Sequence, residues 1–500
     1  MSNYFYNLLK IFMINKISNT GFNFDNSYIE LPPEFYSPAN LQPVKSPQLV
    51  ILNNELSNSL GLNTDFLKSP EGIYIMSGNI KIPDGAYISQ AYAGHQFGGF
   101  TMLGDGRALL IGEQITPSNQ RFDIQLKGSG RTPYSRNGDG RAVLGPMLGE
   151  YIISEAMHGL NIPTTRSLSV ISTGENVYRE TIQQGAILTR VASSHIRFGT
   201  FEYAAYMLDY EKLKKLSDYT IKRHFPFLEN NENKYINLLD EVIKLQASLV
   251  AKWQSVGFIH GVLNTDNMSI CGETIDYGPC AFMDVYNPDT VFSSIDTNGR
   301  YAYKNQIAIV NWNLYRLAET LLPLINSDEN KAIELAQNSL SKFINLATSN
   351  LSHEMCSKIG IFEPKTSDID LLNELLNMMQ KYKEDYTNTF IALTFNDLPQ
   401  KGMFISEEFI NWKKKWEETL TLQNKSKDEV FDLMKNSNPA VIPRNHRVEE
   451  ALSAANNGDF SVMNNLLKAL SNPFEHSEFQ KEYAKLPSTP QCNYRTYCGT

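Results

Sequence analysis

The stretch LGDGRALLIGEQITPSNQRFDIQLKGSG (103–130) decides how this chain is read. Two β-prone runs, ALLIGEQI (108–115) and DIQLK (123–127), stand among glycine-rich turns, which is a pattern of antiparallel strands. FGGFTM (97–102) extends it upstream, so we expect a meander with glycines at its bends. Residues 94–149 hold 12 of the chain's 30 glycines, which confines the glycine-rich sheet to this window. Directly downstream, LGPMLGEYIISEAMHGL (144–160) places Leu148, Ile152, Ala156 and Leu160 at helical spacing, ending at Gly159 or by Asn161–Pro163. LSVISTG and GAILTRVA predict a further hairpin within 168–192.

After residue 200 the pattern changes. Stretches 201–256, 302–350, 366–386 and 405–435 are charged and leucine-periodic, hence helical. GFIHGVLNTDNMSICGETIDYGPCAFMD (257–284) interrupts them with loop and short-strand signals. The expected fold is therefore α+β and two-lobed, with a β-rich, glycine-rich N-lobe and a mostly helical C-lobe; the motifs and the resemblance given below make it protein-kinase-like. The expected divisions are an N-terminal extension (1–84), the N-lobe (85–200), and a helical lobe (201–435) whose loop 257–284 is catalytic and metal-binding. A C-terminal segment (436–500) completes the chain, its proline- and asparagine-rich tail from Pro487 loosely ordered until docked.

Composition narrows the function classes. The 500 residues are 42% hydrophobic and 20% charged, enough apolar material for a real core. Against 54 acidic side chains stand 45 basic ones, a net charge of −9, which argues against a general nucleic-acid binder. No uncharged apolar run reaches the roughly 18 residues of a membrane span. The five cysteines (Cys271, Cys280, Cys356, Cys492, Cys498) lack zinc spacing and fit a reducing compartment. The opening MSNYFYNLLKIF reads as a real helix or as an over-extended start preceding Met13; a targeting peptide is disfavoured.

The chemistry-bearing residues form two clusters. In LGDGR, Gly104 and Gly106 let backbone approach a phosphate, and Arg107 adds a charge-assisted contact; alone, the motif is more often a plain turn. Lys127 ends a strand beside a helix carrying Glu150 and Glu155, and a strand lysine held by a helix glutamate is how kinase-like folds aim an ammonium at nucleotide phosphates. In the second cluster, Asp266, Asn267 and Asp276 supply hard oxygens of the kind Mg²⁺ or Mn²⁺ takes beside phosphates. Asp276-Tyr277-Gly278 looks like the kinase metal-binding Asp-Phe-Gly, and Asn267 stands seven residues after His260, as in the kinase catalytic loop. The slot of the kinase base is Val262, which accepts no proton, so an orthodox protein kinase is disfavoured. His260 reads as a buried hydrogen-bonding residue rather than a base.

The segments YAGHQFGGFTMLGDGRA, DIQLKGSGRTPYSRNGDGRA, LGEYIISEAM, LTRVASSHIRFGTFE, GFIHGVLNTDNMSI, TIDYGPCAFMD, NPAVIPRNHRVEEAL and the terminal YCGT resemble the selenoprotein O (SelO/YdiU) family from about residue 20 to residue 500. The resemblance implies a pseudokinase fold and transfer of AMP from ATP to protein hydroxyls, with UMP transfer and Mn²⁺ attributed to bacterial members. It implies nucleotide contacts from Gly104, Gly106, Arg107, Lys127, Asp139, Gly140, Arg190, Arg197 and Asp276, with Glu150 as the partner of Lys127. Asp266 would accept the proton, while Asn267 and Asp276 would hold Mg²⁺ or Mn²⁺. Cys498 falls where eukaryotic relatives carry selenocysteine, implying a redox role. Its partner stays open among Cys280, Cys271 and Cys492, as does an unpaired thiol.

These readings converge on a protein nucleotidyltransferase that moves AMP from ATP, or UMP from UTP, to Ser, Thr, Tyr or His side chains and releases pyrophosphate. An ATP-binding scaffold and an atypical kinase transferring the γ-phosphate are the competing readings. The expected partners are ATP and acceptor proteins, with no nucleic acid or membrane and a monomer favoured. The expected setting is the bacterial cytoplasm, or the mitochondrion for a eukaryotic chain.

Overall fold

In the computed structural model, the described residues are 20–487 and 494–496. The opening segment with Met13, together with Cys492 and Cys498, lies outside them. The chain divides into two compact units. One takes in the described residues up to Ser154 together with Thr165–Thr220; the other takes in Glu155–Thr164 and the described residues from Ile221 onward.

The first unit is built on an antiparallel sheet. Its strands are β1 (Tyr36–Pro38), β2 (Gln48–Leu52), β3 (Ile88–Gln90), β6 (Ala108–Ile115), β7 (Arg121–Lys127), β8 (Ala142–Val143), β9 (Arg166–Tyr178) and β10 (Ile182–Ala192). The order is β1-β3-β6-β7-β10-β9-β2, with β8 added to β10. β4 (Ala93–Gln96) and β5 (Gly99–Met102) form a separate two-stranded sheet. The meander expected around residues 97–127 is thus split between two sheets.

Its bends also depart from expectation. The β6–β7 turn runs through Thr116–Gln120 without a glycine, and Asn119 takes the left-handed position at φ +60°. Asparagine tolerates that region at little cost, so no glycine is needed. Gly112 instead lies inside β6, where the ring of Phe24 packs so closely that a Cβ would stand 2.6 Å from it.

Alternation along β7 decides what each face of the sheet does. Ile124 and Leu126 join Leu109, Ile111, Leu168, Ile171, Ile187 and Val191 in a dry core. Leu56, Leu67, Ile75 and Met76 add to that core from the short helices Asn54–Ser59, Thr64–Lys68 and Pro70–Met76. Each of these helices starts at a side-chain cap, Asn53, Asn63 or Ser69, that accepts an otherwise orphaned amide hydrogen. The opposite face carries Asp123, Gln125 and Lys127, all buried.

The second unit is mostly helical. Helices Lys234–Ser255, Gln306–Ile325 and Glu329–Ser357 pack against one another. A second core gathers Leu375, Met379, Tyr386, Phe390, Phe409, Trp412 and Trp416. The polar insert is pinned by β11 (Phe258–Ile259) against β12 (Ala281–Phe282), with Phe258 opposite Phe282. An antiparallel sheet followed by a mostly helical unit is the α+β division that the residue patterns demand.

Lys358 caps Glu329–Ser357 and is only 2% exposed. Its Nζ lies 4.7 Å from the centre of the Phe390 ring and donates to Ser437 O at 3.3 Å. Burial pushes its pKa down to about 7. Between that value and the roughly 10.4 of an unfolded lysine, the unfolded chain binds the extra proton, so stability contributed here rises with pH. Urea midpoints at pH 7 and pH 9 should therefore rise more in the wild type than in Lys358→Met. An equal pH response in both proteins would refute the titration assigned to Lys358.

Candidate functional site

In the first unit, the cations anticipated from sequence are gathered on the polar face of the sheet. Lys127 Nζ lies 2.6 Å from Glu150 Oε2, on the helix Leu144–Gly159, and both side chains are buried. Arg190, directly opposite Gln125 in the β7–β10 register, stands 3.5 Å from the other oxygen of Glu150. One carboxylate thus serves two buried cations. Of the two helix glutamates read as candidates, Glu150 is the partner.

Arg197 caps the helix Phe198–Met207, and its guanidinium sits 4.5 Å from the centre of the Tyr92 ring. It also faces Asp105 at 3.9 Å. Asp105 is the acid of the Gly-Asp-Gly turn and is 2% exposed. Gly104 has φ +117° and lies so tightly under Tyr134 that a Cβ would be 2.5 Å from the ring, so only glycine fits. Gly106 runs beside the Tyr134 carbonyl and accepts from Ser135 Oγ. Arg107 is half-buried, and its carbonyl accepts from Gly128 N at 2.7 Å.

Asp139 lies in the turn before β8. Its carboxylate forms a two-pronged pair with Arg179, both contacts at 2.9 Å, and that hydrogen bonding holds its pKa below the ordinary carboxylate value. Gly140 O accepts from Gly130 N at 3.1 Å, tying this turn to the glycine segment after β7.

Three residues that sequence reasoning passed over complete the face. Gln125 bridges Arg190 to Asp105. Asp123 accepts both the backbone N–H and the Nδ1–H of His195, at 2.9 and 3.0 Å. Burial lowers the His195 pKa to about 4, so a neutral imidazole fixes the connection between Arg190 and Arg197. The signal was the alternation Asp-Ile-Gln-Leu-Lys itself, which reads as a wet face until burial is known.

In the second unit, Asp266 and Asn267 belong to a single 3₁₀ turn, Thr265–Asn267, and Asp266 is buried. Asn267 Nδ2 donates to Val262 O at 2.9 Å, so Oδ1 is the atom its amide offers a cation. Asp276 has φ +65°, a left-handed conformation in which non-glycine residues are uncommon and often functional. His260 is buried and donates from Nε2 to Ile275 O, next to Asp276; burial lowers its pKa. It is a neutral brace, as read from sequence.

Gly261, at φ +82°, lets this loop cross the Asp-Tyr-Gly-Pro segment, where a Cβ would be 2.4 Å from Pro279 O. The same carbonyl accepts from Thr496 Oγ1 at 2.7 Å, so the described piece of the tail is docked there. Among the described residues no group of three or more His, Cys, Asp or Glu side chains is arranged to hold a metal ion; Asn267 and Asp276 each offer a hard oxygen of the type a divalent cation takes.

The family model described as "Protein adenylyltransferase SelO" matches residues 19–471. The chain belongs to the SelO family. Its similarity to curated members extends over nearly the full length. It is 62% identical over 487 residues to the protein nucleotidyltransferase YdiU of Bacillus cytotoxicus, covering 97% of this chain and 99% of that one. To the protein of the same name in Clostridium beijerinckii it is 60% identical over 484 residues, covering 97% and 99%. A solved structure, "ROP2 from Toxoplasma gondii: A virulence factor with a protein-kinase fold and no enzymatic activity", aligns over 67% of this chain and 88% of that one, at 7% identity and a TM-score of 0.24. A likeness of that size carries no weight for this SelO chain. No helix among the described residues is long and apolar enough to cross a membrane.

Proposed function

We propose that this chain transfers AMP from ATP to Ser, Thr, Tyr or His side chains of acceptor proteins and releases pyrophosphate; UMP from UTP is the alternative donor. Membership of the SelO family supports the reaction class. The observation that carries the site assignment is the buried group of Lys127, Arg190 and Arg197, each facing a carboxylate in the first unit. Their carboxylate partners hold the three cations in fixed positions, as a preorganised site for an anionic ligand requires. The terminal phosphates of a nucleotide match that charge, and arginine forks match phosphate oxygens.

In this reading Lys127, Arg190 and Arg197 hold the β- and γ-phosphates, leaving the α-phosphorus to the acceptor. Gly104, Gly106 and Arg107 bring backbone and a further cation to the nucleotide, and Asp139 and Gly140 shape the adjoining turn. Asp266 takes the acceptor proton as oxygen attacks the α-phosphorus and the bond to the bridging oxygen of pyrophosphate breaks. Asn267 and Asp276 would hold Mg²⁺ or Mn²⁺, which supplies charge neutralisation toward the departing pyrophosphate. We assign the reaction to a bacterial cytoplasmic monomer.

The test is parallel incubation with α-³²P-ATP and γ-³²P-ATP plus Mg²⁺ or Mn²⁺, followed by a denaturing gel. Wild type, Asp266→Ala and Asp276→Ala run side by side. Protein label only from the α position, lost in both variants, is the expected result. Label from the γ position would make the chain a kinase. ATP binding without either label would make it a scaffold.

A further inference from the structure

We infer that Gln125 is a positioning residue that locks the phosphate-facing Arg190 to the glycine turn through its side-chain amide. This rests on the nucleotide-site reading above. Gln125 lies on β7, two residues before Lys127, and is completely buried. Its Oε1 accepts from Arg190 Nη2 at 2.6 Å and Nε at 3.2 Å. Its Nε2 donates to Asp105 Oδ2 at 3.0 Å, an oxygen that also accepts from the backbone N–H of Gln90 at 3.2 Å.

The donor chemistry dictates this orientation. A guanidinium has only donors and a carboxylate only acceptors, so the amide must present oxygen to Arg190 and nitrogen to Asp105. No other side chain of this length is an acceptor at one prong and a donor at the other at neutral pH. The bridge continues at both ends. Arg190 reaches Glu150 and, through it, Lys127; Asp105 faces Arg197 and forms the turn between Gly104 and Gly106. The charged groups of this network are Asp105 in the turn, Lys127 on β7 itself, Arg190 on β10, Glu150 on its helix and Arg197 beyond β10; the neighbouring Asp123 on β7 is taken by His195. Breaking the bridge uncouples two elements, one carrying a phosphate cation and the other the glycine backbone, while each keeps its remaining contacts.

The test uses the full-length protein and two variants. Gln125→Met keeps length and volume but removes both hydrogen bonds. Gln125→Glu keeps the acceptor for Arg190 and sets a second carboxylate against Asp105. Affinities for ATP and for AMP are measured with Mg²⁺ by calorimetry, alongside label transfer from α-³²P-ATP and thermal melting. In Gln125→Met, ATP should bind at least tenfold more weakly while AMP, which lacks the terminal phosphates, changes less than twofold. Transfer should fall at least tenfold.

In Gln125→Glu the ATP affinity relative to wild type should recover between pH 8 and pH 6, as a proton shared by the two carboxylates restores a donor toward Asp105. Recovery in Gln125→Glu supports the bridge even where Gln125→Met does not fold. Equal weakening of ATP and AMP in Gln125→Met, unchanged ATP affinity, or no pH recovery in Gln125→Glu would overturn the proposal. Lys127→Ala serves as the separate control. If it binds ATP and transfers label like wild type, the phosphate-site reading fails; if it is inactive while Gln125→Met keeps the wild-type ratio of ATP to AMP affinity, only the positioning role fails.

Discussion

Replacing Lys127 by alanine is expected to lower nucleotidyl transfer by about 10²- to 10³-fold, the usual loss when one preorganised electrostatic stabiliser is removed. The fold should survive. Lys127 is only 5% exposed and paired with Glu150 at 2.6 Å. Removing one member of a buried pair normally strands the other charge at considerable cost. Here Glu150 keeps Arg190, 3.5 Å from its second oxygen. The melting temperature should accordingly drop by only a few degrees while activity collapses. Circular dichroism melts beside initial rates make the comparison. A loss of fold in step with the loss of activity would make Lys127 a structural residue.

The largest stability effect is expected at Arg444, in the NPAVIPRNHRVEEAL segment. Its side chain is fully buried, with Nη1 2.5 Å from Asp284 and 2.9 Å from Asp385. Nη2 donates to the second oxygen of Asp385 at 3.0 Å and Nε to the carbonyl of Ala484 at 3.0 Å. Arg444→Ala would strand the buried Asp385 and the half-buried Asp284 carboxylates, at a cost of about 3–5 kcal/mol. Asp284 stands two residues past β12, which pins the loop of Asp266 and Asp276, so transfer should fall as well. Burial already raises the Asp284 carboxyl above its ordinary value, and without the arginine it is raised further, so the folded variant gains stability when this group is protonated. The deficit should therefore be larger at pH 8 than at pH 5. Guanidinium unfolding at both pH values checks it, and a deficit below about 1 kcal/mol at pH 8 would show that the triad is dispensable.

Much of this was legible along the chain. β6, β7, the helix Leu144–Gly159 and the β9–β10 hairpin follow from local alternation and helical spacing. So does the neutral, bracing His260, because an aromatic polar residue between apolar neighbours is usually satisfied by a backbone group. The glycine-marked bends were less legible. A strand-to-strand turn needs a left-handed residue, which Asn119 supplies, and Gly112 answers a demand made by Phe24 from far away in the chain.

The sequence by itself determined which segments are strand or helix and which residue types can bind phosphate or a hard cation, because both depend on neighbours a few positions apart. It also nominated Lys127, Arg190, Arg197, Asp266, Asn267 and Asp276 by type and motif. Tertiary structure alone decided that Glu150 also meets Arg190, that Gln125 and Asp105 join the arginines to the glycine turn, and that Arg444 is closed by two aspartates. The reason is desolvation: a buried charge must be met by whatever partner the fold brings within hydrogen-bond reach, and that partner stands on another strand, helix or loop.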